Sequence, residues 1–274
     1  MMMMFGQLCD LSGLVALVTG AGGGERGGLG AAIARVLAQA GAQVAVNDLA
    51  LEDAEATASM IRALGLVAEA LPADVADPEQ ADQLVARVIE RFGKIDILVN
   101  KAEYHSRAYR PDEIPTEEWQ RSVAVNVHAP FYLSRAAVRD MRRRKFGRII
   151  NVSNIAAIRA SVLHGTPYVA TKEALYGFTR HLATEVAQHG ITVNAILPGF
   201  VLTPKLAALW PDERIARLAP TIPALRAGTP EEIASLVVYL ASPEAGYLTG
   251  AAIPIDGAVS IVPGGRMDPD NCFV

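Results

Sequence analysis

The chain has 274 residues, 51% of them hydrophobic and 20% charged, which gives ample apolar material for one large globular domain. A formal net charge of -4 argues against nucleic acid or an anionic membrane as partner, since either would want a basic face. No apolar run reaches the roughly 18 residues of a membrane span. The apolar Met1–Phe5 lacks a basic flank and meets Cys9-Asp10 too soon for a signal peptide. The two isolated cysteines, Cys9 and Cys272, fit no metal or redox spacing and suit a reducing cytoplasm, so the expectation is a cytoplasmic protein with no metal site.

In chain order, short β-branched runs alternate with longer helical patterns. Strands are predicted over Leu14–Thr19, Gln43–Asp48, Val67–Leu71, Ile95–Asn100, Arg148–Ser153, Ile191–Leu197 and Ala251–Ile255. Helices are predicted over Leu29–Ala40, Leu51–Leu64, Pro78–Phe92, Thr116–Arg144, Pro167–His189 and Pro230–Leu240. Near-continuous apolar strands separated by helices imply a parallel sheet covered on both faces, with right-handed crossovers. No linker or repeat divides the chain, so residues 1–274 read as a single α/β domain, a doubly wound parallel sheet of about seven strands. Residues 204–228 break the alternation and read as an inserted helical substrate lid, with Leu206, Leu209, Trp210, Ile215 and Leu218 as its apolar face. The basic cluster Arg142–Lys145 falls where a helix should end and reads as a dipole-matched C-terminus.

Strand one runs into Thr19-Gly20-Ala21-Gly22-Gly23-Gly24-Glu25-Arg26-Gly27-Gly28-Leu29-Gly30, and a helix follows directly. Glycines between a strand and a helix let the backbone turn tightly and seat a pyrophosphate on the helix N-terminus. Asp48, at the end of the second predicted strand, places a carboxylate where it can bind a ribose diol and repel a 2′-phosphate, which favours NAD over NADP. Asp74-Val75 at the end of strand three is placed to meet an adenine edge. Tyr168 and Lys172 stand four residues apart, hence on one helix face. A cation beside a phenol stabilises the phenolate and lowers its pKa, so the pair is a candidate acid/base device for a hydroxyl or a carbonyl.

Assembled, these pieces resemble the short-chain dehydrogenase/reductase family over residues of about 10 to 260. The resemblance rests on Thr19-Gly20 with Gly28-Leu29-Gly30, Asp48, Asp74, Asn100, Asn126, Tyr168 with Lys172, and Pro198-Gly199 with Thr203. Gly228–Glu232 and Ile255-Asp256-Gly257 match its C-terminal pattern. It implies a Rossmann-type sheet, a nicotinamide cofactor and a homodimer or homotetramer. It further implies that Tyr168 is the acid/base and that Lys172 holds the nicotinamide ribose and lowers the tyrosine's pKa. Asn126 would anchor a water of a proton relay. Cofactor contacts would come from Gly20, Gly28, Leu29, Gly30, Asp48, Leu49, Asp74, Val75, Asn100, Ala102, Pro198, Gly199, Val201 and Thr203, with Thr203 and the Val201 backbone on the carboxamide.

Three departures stand out. Seven residues separate Gly20 from Gly28, more than the family's spacing, giving either a slack loop or a flap whose Arg26 reaches a cofactor phosphate. Asn100-Lys101-Ala102-Glu103 puts a glutamate where the family has a glycine, adding bulk and charge beside the nicotinamide. The family's substrate-binding serine falls on Asn154, while the neighbouring Ser153 should face the other side of its strand. An asparagine amide can still donate to a carbonyl oxygen. The expected function is therefore NAD-dependent hydride transfer on a hydrophobic secondary alcohol or ketone, with Asn126, Asn154, Tyr168 and Lys172 catalytic. His105, Arg107, Arg159 and His164 fall in loops that would line the pocket. The competing reading is a degenerate member that binds nucleotide but is redox-inactive, serving as a scaffold or in elimination or cyclisation.

Overall fold

A computed structural model describes residues 8–161 and 164–262. Met1–Phe5 and Cys272 lie outside the described residues. Seven strands, β1 (Val15–Val18), β2 (Gln43–Val46), β3 (Ala68–Ala70), β4 (Ile97–Asn100), β5 (Gly147–Val152), β6 (Ile191–Pro198) and β7 (Ala252–Ile255), form one sheet in the order β3-β2-β1-β4-β5-β6-β7. Every pairing is parallel. Alternate strand residues feed two separate cores, as a doubly covered sheet requires. Ala16 and Val18 pack with Ile33, Leu37, Ile61 and Val237 on one face. Val15 and Leu17 pack with Leu84, Val88, Leu133 and Met141 on the other.

The helices are α1 (Leu29–Gln39), α2 (Leu51–Ala63), α3 (Pro78–Phe92), α4 (Thr116–Val123), α5 (Ala129–Arg144), α6 (Thr166–Val186), α7 (Pro204–Leu209), α8 (Asp212–Leu218) and α9 (Pro230–Ala241). Asp77 caps α3 through the backbone N–H groups of Glu79 and Gln80, and Thr229 with Glu232 forms a capping box on α9. The basic run at the end of α5 is largely exposed, and two of its arginines are ion-paired. Arg144 pairs with Asp96 and Asp140, and Arg143 reaches Asp140 at 2.8 Å.

Four expectations need correction. The helix predicted over Thr116–Arg144 is interrupted by a π-helical turn, Ala124–His128. Pro130 explains it, because that residue has no N–H to offer the Asn126 carbonyl four positions back and its ring crowds that oxygen. Strand three is shorter than Val67–Leu71, so Asp74-Val75 lies in a loop beyond it. That loop is tied to β2 by the Asn47 amide, which donates to the Leu71 and Ala73 carbonyls. In residues 204–228 the predicted apolar face is incomplete. Phe200 stacks on Trp210 at 5.7 Å, but Leu209 is 69% exposed.

The fourth concerns the extra residues after Gly20. They fold as a short 3₁₀ turn, Gly24–Arg26, docked on α2 instead of hanging as a slack loop. Gly23 N–H donates to the Asp53 carbonyl and Gly24 N–H to Thr57 Oγ1, both at 2.9 Å. Arg26 itself is exposed.

Candidate active site

The sheet order reverses between β1 and β4, and the loops leaving those strands meet at their carboxyl ends, the usual ligand crevice of such sheets. Thr19 Oγ1 stitches them by accepting from the Lys101 and Ala102 N–H groups, each at 3.1 Å. Gly20 has φ +60°, and a Cβ there would lie 2.7 Å from Ala102 Cα. At Gly30 a Cβ would meet the Gly20 carbonyl at 2.2 Å, so α1 packs against the turn only without a side chain. Gly28 differs, because nothing lies within 4 Å of its notional Cβ. It is also the N-cap of α1 and supplies no capping side chain. The helix N-terminus thus faces open space, a cradle for a phosphate.

Asp48 follows β2, half-buried, with Oδ2 accepting from Gly22 N–H and Oδ1 from Leu49 N–H, both at 2.8 Å. A carboxylate has about four acceptor sites, so capacity for a ribose diol remains. Leu49 is exposed, as is Asp74, and Val75 is buried. Asn100 sits behind the crevice with its amide donating to Asn151 Oδ1 at 2.8 Å. Its own Oδ1 is buried without a partner among the described residues. Beyond β6, Pro198 leads to Gly199, where a Cβ would crowd Asp256, and Val201 bridges to Gly228. Thr203 Oγ1 caps α7 by accepting from Leu206 N–H, leaving its own proton to donate.

The chemistry-bearing side chains lie on α6 and the loop after β4. Tyr168 is 1% exposed and Lys172 likewise, on one face of α6. Between them stands Glu103. Its Oε2 accepts from Tyr168 Oη at 3.2 Å and lies 3.0 Å from Lys172 Nζ. Its Oε1 lies 3.1 Å from both Lys101 Nζ and His105 Nε2. Lys172 Nζ also donates to the Val152 carbonyl at 3.1 Å. Burial pushes the Glu103 carboxyl up, but Lys101, Lys172 and His105 outweigh it and hold the group well below the usual carboxylate range.

The tyrosine's environment overturns the expectation that Lys172 lowers its pKa. Burial, then the charge and hydrogen bond of Glu103, hold the phenol well above its ordinary value. Glu103 neutralises the ammonium's effect. His105 and His164 both stack on the Tyr168 ring, with centroids at 4.9 and 4.4 Å. Burial, followed by the nearby His105, lowers the His164 pKa to about 4, so that ring is neutral at pH 7.

Asn126 lies in the π-helical turn with its side chain fully engaged. Its Oδ1 accepts from Tyr104 N–H at 2.8 Å, and its amide donates to the Tyr104 carbonyl and Thr171 Oγ1. It thereby pins the loop carrying Glu103 and His105 to α6. Ser153 is buried and donates to the Lys172 carbonyl at 2.9 Å, away from solvent. Asn154, half-buried, accepts from Ala156 N–H through Oδ1, and its NH₂ is a donor group separate from that bond. Arg159 is tied to the Val259 carbonyl, and Arg107 is exposed. Sequence reasoning placed Glu103 beside the crevice but missed that it joins Tyr168 to His105. A glutamate within a loop carries no periodicity that would signal where its carboxylate goes.

Known proteins share this arrangement of elements. A family model described as enoyl-(acyl carrier protein) reductase matches residues 22–260. The short-chain reductase protein NovJ of Streptomyces niveus is 43% identical over 249 residues, covering 89% of this chain and 92% of that protein. The 3-oxoacyl-acyl-carrier-protein reductase FabG of Vibrio cholerae is 38% identical over 253 residues, covering 92% and 100%. Among solved structures, levodione reductase superposes with a TM-score of 0.84 at 30% identity, covering 92% of this chain and 99% of that one.

Proposed function

The chain belongs to the short-chain dehydrogenase/reductase family, and on that premise we propose an NAD-dependent oxidoreductase acting on a hydrophobic secondary alcohol or its ketone. The observation that carries the reading is Tyr168 and Lys172, buried together on one face of α6 beside the crevice between β1 and β4. A family cofactor fits the other end of that crevice, where Gly28 leaves open space before an uncapped helix. Gly20, Gly28, Leu29 and Gly30 would hold its pyrophosphate, Asp48 and Leu49 its adenosine ribose, and Asp74 and Val75 its adenine. Asn100, Ala102, Tyr168 and Lys172 would flank the nicotinamide ribose. Pro198, Gly199, Val201 and Thr203 would take the carboxamide. Bound there, the nicotinamide supplies the hydride donor or acceptor.

The protein's own part is to orient the substrate oxygen and move a proton. Tyr168 Oη carries the proton, Asn154 NH₂ steers the oxygen, and the Asn126 carbonyl, deprived of its helical donor by Pro130, anchors a water. Phe200 and Trp210 at the base of residues 204–228 supply an apolar wall, and that segment closes over the substrate as a lid. Asp48 favours NAD(H), because a carboxylate beside a 2′-phosphate costs on the order of 1–3 kcal/mol, about ten- to a hundred-fold in affinity. Fluorescence titration with NADH and NADPH checks this; tighter NADPH binding would overturn it.

One observation favours a second reading. Glu103 already occupies Tyr168 and Lys172 with a single carboxylate oxygen, so the protein would bind nucleotide without redox turnover. The double change Glu103→Gly with Asn154→Ser separates the two. For an active oxidoreductase it lowers NAD⁺ affinity relative to NADH, because a carboxylate near the cationic oxidised ring is lost, and it alters turnover without creating it. An inert wild type with a double variant that turns over ketones freely would establish the disabled site.

A further inference from the structure

We infer that Glu103 and His105 form a proton relay from Tyr168 to solvent, with Tyr168 as the conduit and the Glu103 carboxylate as the internal proton acceptor during alcohol oxidation. The inference rests on the oxidoreductase reading above. Its geometry is a continuous chain: Tyr168 Oη to Glu103 Oε2 at 3.2 Å, then Glu103 Oε1 to His105 Nε2 at 3.1 Å. The His105 side chain is 58% exposed, so the chain ends in water. Among the described residues the buried Lys172 ammonium contacts the Val152 carbonyl and Glu103, and the Asn126 side-chain amide is engaged by Tyr104 and Thr171.

The step balances. The substrate C–H gives its hydride to a bound oxidised nicotinamide, and the O–H bond breaks as C=O forms. The hydroxyl proton goes to Tyr168 Oη while the phenol's own proton passes to Glu103 Oε2. Rotation of the carboxyl carries that proton to the Oε1 side, where His105 accepts it at an unprotonated Nε2 and releases its Nδ1 proton to water. A phenol is a far weaker acid than a carboxylic acid, so stepwise transfer from resting Tyr168 to Glu103 is uphill. Loss of hydride makes the hydroxyl that of a protonated carbonyl, a much stronger acid than a carboxylic acid, which drives the concerted shift. Reduction runs the same path inward. The charged and titratable groups facing Glu103 are Lys101 and His105 on its own loop and Tyr168 and Lys172 on α6, with His164 stacked behind the phenol. Two ammonium groups against one carboxylate keep Glu103 from retaining a proton.

The test uses the full-length protein and two readouts. Without cofactor, Tyr168 ionisation is followed by phenolate absorbance, with Tyr168→Phe subtracted. In Glu103→Gln it should titrate at lower pH than in wild type, because Lys172 is no longer neutralised. An unchanged titration places Glu103 away from Tyr168 and overturns the inference whatever the activity. With NAD⁺ and an alcohol that wild type oxidises, Glu103→Gln should lose about 10²-fold in kcat, with Glu103→Asp restoring part of it. His105→Asn should lower kcat and regain rate with added imidazole. Faster turnover in Glu103→Gln would show an obstructing carboxylate and also overturn the relay. Failure of the oxidoreductase reading is distinct: wild type then binds NADH yet turns over no alcohol or ketone, while the absorbance result stands by itself.

Discussion

At the residue scale the site is decided by which charges share a small buried volume. Tyr168→Phe keeps the ring and its stacking on His105 and His164 but removes the transferable proton. Turnover should fall about 10²–10⁴-fold with NADH still bound, measured by steady-state rates alongside fluorescence titration. Near-normal rates would make another group the acid. Lys172→Ala should weaken turnover and cofactor affinity together, since the ammonium is buried between Tyr168, Glu103 and the crevice. His164 makes a stability prediction. Its folded pKa of about 4 lies below the ordinary 6.5, so between those values the unfolded chain binds a proton that the fold rejects. Stability from this group is present above pH 6.5 and is lost as pH falls toward 4. Glu103, also depressed, acts in the same direction but only at lower pH. Tm measured across pH 4–7 should fall toward acid, and less steeply in His164→Asn.

At the element scale, legibility followed the periodicity. The seven strands were readable because apolar residues on both faces leave near-continuous runs, and α1, α2, α3, α6 and α9 because their apolar faces recur at helical spacing. The π-helical turn was not, although its cause is written in the chain as Pro130 after Asn126; a Pro near a helix start ordinarily reads as harmless. The turn after Gly20 was legible as an insertion but not as a structure docked on α2, because backbone N–H groups of glycines leave no sequence mark. Tyr168 and Lys172 were legible as a pair on one helix face from their spacing, and Asn154 only through the family resemblance, whereas the Glu103 bridge depends on a loop path. The glycines give a paired prediction. Gly30→Ala forces a Cβ into the Gly20 carbonyl and should cost about 1–3 kcal/mol as well as nucleotide affinity. Gly28→Ala has open space on the protein side. It should leave Tm nearly unchanged while weakening dinucleotide binding, since only the ligand's phosphate would meet the new methyl. Equal losses of Tm in both variants would remove the open cradle from the account.

At the scale of the whole molecule, the family typically oligomerises, and the exposed aromatics of α4 and α5 give a testable face for a second copy. Among the described residues no helix is long and apolar enough to cross a membrane. Trp119 on α4 and Phe131 on α5 are each 44% exposed. Phe131 also packs edge-on against Phe178 of α6, at 6.4 Å between centroids. Phe131 and Phe178, paired on adjacent helices, suit a two-fold interface, in which each copy presents the same patch to the other. This is also the layer whose inner side carries Tyr168, Lys172 and Asn126. Docking there would brace the π-helical turn from outside and couple assembly to the geometry of the proton path. Light scattering should therefore give a dimer or tetramer. Phe131→Asp, which places a charge in the patch without entering either core, should lower the mass, reduce turnover and make Tm less dependent on protein concentration. An unchanged mass in that variant would move the interface to another face, and a monomeric wild type would remove the coupling altogether.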